Sequence, residues 1–171
     1  MINFLDKKDD IKFIKIGMGE YFIGPKTSTV IIASNLGSCV GVTLYDQINH
    51  IGGMVHIVLP NCPNLRSTKN LFKYADTGIP LFVEKICQIG AKKSFLISKI
   101  AGGSQMFNND ESGSLNVGLR NVEAVIKSLK ELSIKIVSTD VGGNYSRTLK
   151  LFLENGLVTI KIPGDEEERI L

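Results

Sequence analysis

Residues 34–60, SNLGSCVGVTLYDQINHIGGMVHIVLP, hold two apolar runs on either side of a polar connection. Val40 to Tyr45 and Ile51 to Leu59 read as strands, and Pro60 ends the second. Asp46-Gln47-Ile48-Asn49-His50 between them reads as a turn. The two runs can pair as antiparallel neighbours. Cys39 opens the first run, directly after a Gly37-Ser38 corner, and His56 lies seventeen positions later in the second. Antiparallel pairing would let them meet. A thiol and an imidazole within hydrogen-bond reach are the minimal kit for a cysteine nucleophile. Taken singly, each is more simply core packing, since free cysteine is often buried. The corner shifts the balance. Glycine and a small residue before a nucleophile permit a sharp turn, and they free backbone N–H groups to hold an oxyanion.

Outward from this stretch, strands are expected at residues 11–16, ended by Gly17-Met18-Gly19 with Glu20 to Ile23 as its continuation, and at 29–33. Asn61 to Lys69 reads as loop, and Asn70 to Ala75 as a possible helical turn. A helix should follow, with Thr77 as N-cap, Pro80 in the first turn, Phe82, Ile86 and Ile89 on one face, and Gly90 just past the end. A strand is expected from Ser94 to Ile100 and a loop over 108–116. The clearest helix spans 118–132, where Val122, Val125, Ile126, Leu129 and Leu132 form a core-facing stripe. A strand at 134–139 precedes a hairpin of residues 148–153 and 157–162 around Asn155-Gly156, a strong hairpin signal. This order predicts an α/β (α+β-like) sandwich, a mixed sheet layered with two main helices.

The 171 residues fit one domain, residues 1–171, and 43% hydrophobic with 22% charged residues matches soluble globular chains. A net charge of +3 with dispersed lysines argues against nucleic acid as a partner. Asp165-Glu166-Glu167-Glu168 reads as a solvated tail. Cys39, Cys62 and Cys87, an odd number without framework spacing, point to a reducing compartment. With no CxxC pair and no HExxH, a metal site is not expected. No signal peptide and no span of roughly 20 apolar residues is visible, so membrane insertion is not expected and a cytoplasmic location is. The pairs Gly52-Gly53, Gly102-Gly103 and Gly142-Gly143 match no phosphate-loop motif and read as strand ends and close packing around the cysteine corner. Asp140 and Arg147 suggest an internal ion pair, and Asp76 and Tyr74 suggest capping or packing. Arg120-Asn121 reads as a helix-start contact, with anion binding as the sharper option.

Six motifs, in this order, resemble the CheD family of bacterial chemoreceptor glutamine deamidases. They are Leu36-Gly37-Ser38-Cys39-Val40, residues 53–60 (GMVHIVLP), Lys73-Tyr74-Ala75-Asp76, residues 99–107 (KIAGGSQMF), residues 118–122 (GLRNV) and residues 140–147 (DVGGNYSR). The resemblance spans about residues 14–162. It implies a three-layer α/β fold, Cys39 as nucleophile and His56 as base, and hydrolysis of receptor glutamines to glutamates without cofactor or metal. It further implies methyl-accepting chemotaxis receptors as substrate and the phosphatase CheC as a partner at an overlapping surface. Where the family has a threonine that orients the histidine, this chain has Ala33. Ser34, Asn35 or a backbone carbonyl are the candidates to replace it, and Gly37 and Ser38 the candidates for oxyanion groups. The runner-up is a CheC-binding module with weak or lost activity. A cysteine protease and a nucleotide-binding module follow.

Overall fold

The computed structural model describes residues 10–105 and 116–171. The loop expected over 108–116 lies outside these residues except for Asn116. β4 (Val40–Asp46) and β5 (Ile51–Ile57) pair antiparallel, with Gly41 opposite His56 and Val40 opposite Ile57. Every residue of both strands is buried. Continuous apolar runs, rather than strict alternation, are what a strand covered on both faces requires.

Those two coverings are a helix layer and a second sheet. The central sheet has the order β2-β5-β4-β6-β7, with β2 (Tyr21–Pro25), β6 (Leu96–Gly102) and β7 (Lys135–Val141). Within this sheet only β6 and β7 pair parallel among the described residues, and helix α2 (Val117–Glu131) lies in the connection between them. The other sheet has the order β1-β3-β8-β9-β10, with β1 (Lys12–Lys15), β3 (Thr29–Leu36), β8 (Arg147–Phe152), β9 (Val158–Lys161) and β10 (Arg169–Ile170). The expected single mixed sheet is therefore two mixed sheets, with helices on the outer face of the central one. Val40, Val42, Leu44, Val55 and Ile57 join Phe82 and Ile86 of α1 (Ala75–Gln88) and Val125 and Leu129 of α2 in one core. Met54 and Ala101 join Ile31, Leu149 and Leu151 in the other.

The helices depart from expectation at their edges. α1 begins at Ala75, and Thr77 is not its N-cap. The free N–H groups of Ala75 and Asp76 donate to the carbonyls of Leu59 and Pro60 instead, so the chain after β5 caps the helix. The Thr77 hydroxyl donates to the Leu71 carbonyl at 2.7 Å. Pro80 consequently sits in the second turn. Ile89 and Ile126 are 49% and 39% exposed, outside the buried stripes. Gly90, with φ 110°, follows α1 as expected. The acidic tail is not simply solvated. Glu168 binds Lys150 and accepts from the Thr159 hydroxyl at 2.9 Å, holding β10 against β9. Among the described residues, no helix is long and apolar enough to cross a membrane.

Candidate active site

In β4 and β5, side chains alternate between the two cores. Val40, Val42 and Leu44 face the helices, so Cys39 and Gly41 face the second sheet, as do Met54 and His56. Cys39 stands one step diagonally from His56 across the ladder, a separation that side chains can bridge. The residue directly opposite His56 is Gly41, over which Leu149 and Leu36 pack closely. A side chain there would not fit, because its Cβ would meet Leu149 Cδ2 at 2.8 Å and Leu36 Cδ1 at 2.9 Å.

The Cys39 corner is fixed by its backbone. Gly103 N–H donates to the Cys39 carbonyl at 2.8 Å, and Ser104 N–H to the Gly37 carbonyl at 2.8 Å. Gly102, at φ 121°, approaches so closely that a Cβ would lie 2.1 Å from the Cys39 oxygen. Arg147, fully buried, clamps the same strand end. It donates to the Gly102 and Gly142 carbonyls, each at 2.9 Å. Its Nε lies 2.9 Å from Asp140 Oδ1, an ion pair without an aligned hydrogen bond. Among the described residues, the amides of Ser38 and Cys39 donate to no protein acceptor.

Asn121 is the site residue that the sequence understated. Buried on α2, its Nδ2 donates to the carbonyls of Ser38 at 2.8 Å and Val58 at 2.9 Å. It thus ties the corner before Cys39 to the chain after His56. Its neighbour Arg120 is exposed. A polar residue on the buried stripe of an amphipathic helix was the available signal.

His56 is 4% exposed, and neither ring nitrogen has a hydrogen-bond partner among the described residues. Such orphaned groups are rare and costly. Burial pushes the imidazole pKa below its usual range, opposed by the Ile16 carbonyl against the ring and by the charge of Glu20. That carbonyl is not aligned closely enough for a hydrogen bond. Burial pushes the half-buried Cys39 thiol up. Both shifts favour the uncharged forms, and Cys39 Sγ makes no hydrogen bond to either ring nitrogen. Ala33 is buried between the sheets. Ser34 and Asn35 form the irregularity in β3, where the register shifts, with Asn35 at φ 56°. Both are exposed, and neither reaches a ring nitrogen.

The family model for CheD chemotactic sensory transduction matches residues 58–162. A Clostridium botulinum (strain Hall) protein is 45% identical over 156 residues, covering 91% of this chain and 96% of the relative. The chain belongs to the CheD family. A Clostridium tetani CheD is 42% identical over 156 residues, covering 91% of this chain and 94% of its own. Both relatives bear the name "Probable chemoreceptor glutamine deamidase CheD". The family-model match begins just after His56, whereas a CheD alignment of 156 residues must span both Cys39 and His56.

Proposed function

We propose that this CheD protein hydrolyses glutamine side chains of methyl-accepting chemotaxis receptors to glutamate, with Cys39 as nucleophile and His56 as base. The observation that carries this reading is a buried imidazole, without a partner among the described residues, sharing one sheet face with a half-buried thiol. A histidine left unpaired at that cost fits a base awaiting its proton better than a packing residue.

His56 takes the Cys39 proton, and the thiolate attacks the carboxamide carbon. The amides of Ser38 and Cys39, which donate to no acceptor among the described residues, receive the developing oxyanion. The C–N bond breaks as His56 returns the proton to the leaving nitrogen, releasing ammonia and leaving a thioester. His56 then draws a proton from water, whose oxygen attacks the thioester. Glutamate leaves and the thiol is restored. Each catalytic cycle converts a neutral side chain into a charge on the receptor.

Exposed Met18 and Leu59 lie on the segments flanking His56 and offer apolar contact to a receptor helix. CheC is proposed to cover the same surface. The test is mass spectrometry of a co-expressed receptor. Wild-type protein should produce the mass gain of glutamine-to-glutamate conversion, and folded Cys39→Ala and His56→Ala variants should not. Conversion by a folded Cys39→Ala protein would end the mechanism. A variant that is inactive yet still captures CheC would separate the two roles.

A further inference from the structure

Among the described residues the proposed base has no side-chain partner to orient it, yet a turn is docked directly on its backbone. Gly19 N–H donates to the His56 carbonyl at 2.9 Å, and His56 N–H donates to the Glu20 carbonyl at 3.0 Å. The turn closes with Glu20 N–H on the Gly17 carbonyl at 3.0 Å. Asn70 Nδ2 holds the Gly19 carbonyl at 3.0 Å. Gly19, at φ 72°, has no room for a side chain, since a Cβ would lie 2.4 Å from Lys73 Cγ.

Within this clamp, Gly17 N–H donates to the Glu20 carboxylate at 2.7 Å. That N–H belongs to the Ile16–Gly17 peptide. In a trans peptide the N–H and C=O point in opposite directions. The carboxylate therefore grips one side of the peptide while the Ile16 carbonyl is presented from the other, against the His56 ring.

We infer that Glu20 is a positioning residue for His56, acting through the Ile16–Gly17 peptide in the place of a third catalytic side chain. A charge-assisted hydrogen bond at the N–H polarises the peptide and makes its carbonyl a stronger acceptor. When His56 takes the thiol proton on one ring nitrogen, the N–H on the other turns onto the Ile16 oxygen. Glu20 also supplies a negative charge for the imidazolium. Among the described residues, the charged or titratable groups on the elements packed around the His56 strand include the Cys39 thiol just before β4, the Arg147 guanidinium on β8, committed to backbone carbonyls, and the exposed Lys15 and Lys73. This inference rests on the Cys39–His56 reading above.

The experiment is an NMR titration of the two histidines in Glu20→Gln and Glu20→Lys proteins, with His50 as internal control. Glutamine keeps an acceptor for Gly17 N–H but loses the charge, so a turn-holding role alone would leave His56 unchanged. The expected result is a His56 midpoint displaced to lower pH, or no titration before acid unfolding, with His50 unmoved. The displacement should be larger for lysine. At neutral pH, kcat for ammonia release should fall roughly tenfold in Glu20→Gln, part of the ~10²–10⁴ that a positioned base supplies. Folded variants whose His56 titrates as in wild type would overturn the inference. The NMR readout needs no deamidase activity. Failure here would leave the proposed reaction standing, and an active Cys39→Ala protein would remove the reaction without touching the Glu20–His56 coupling.

Discussion

Replacing Gly102 by alanine tests how the nucleophile is held. Gly102 has φ 121°, which side-chain-bearing residues rarely adopt, and its new Cβ would lie 2.1 Å from the Cys39 carbonyl oxygen. Carbon and carbonyl oxygen approach to about 3.3 Å at closest, so the end of β6 and the Cys39 corner must part by about 1.2 Å. The forced backbone conformation costs on the order of 1–3 kcal/mol. Losing the Gly103 to Cys39 hydrogen bond adds about 1 kcal/mol. A total of roughly 2–4 kcal/mol leaves a typical domain folded. The activity should suffer more, because a misplacement of about 1 Å costs on the order of 10²-fold in rate. Gly142→Ala is the control. Its φ is 79°, but nothing lies within 4 Å of the new Cβ, so only a backbone cost of about 1–2 kcal/mol applies. Urea melts and ammonia release, measured on the same samples, separate the two effects. The reasoning fails if folded Gly102→Ala retains wild-type turnover, or if Gly142→Ala loses as much.

Asn121→Ala deprives the Ser38 and Val58 carbonyls of their shared donor and should cost about 1–3 kcal/mol in urea unfolding. Its ammonia release should fall further than the folded fraction does; proportional loss would make Asn121 merely structural. The buried His56 predicts acid lability. Its folded pKa lies below the unfolded value, so the unfolded chain binds more protons. The resulting stability is present above the ordinary histidine range and is lost as pH falls through that range toward the depressed folded value. The drop in urea midpoint between neutral and mildly acidic buffer should therefore shrink in His56→Leu. An equal drop in both proteins would assign the lability elsewhere.

The elements on the page divide by how local their causes are. The hairpin around Asn155-Gly156 formed as read, because Gly156 at φ 72° and the Asn155 side chain on Leu157 N–H carry the turn themselves. Asp140 and Arg147 lie close together in sequence, and their ion pair followed. The start of α1 was misread because its cap is a pair of carbonyls after β5 rather than a side chain in the helix. Glu168 looked solvated because its partners, Lys150 and Thr159, lie on other strands.

The sequence by itself determined the strand pair that carries Cys39 and His56, the mixed α/β class and the family. Each rests on short-range patterns: apolar runs, turn residues and six ordered motifs. Only the tertiary structure decided that the pair lies on the face toward a second sheet, that Asn121 ties its two segments together, and that the His56 nitrogens are buried without partners among the described residues. It also set the Ile16–Gly17 peptide between Glu20 and the ring. These arrangements depend on backbone carbonyls and amides meeting across distant strands. Every residue carries the same carbonyl, so side-chain identity does not reveal which one faces the histidine.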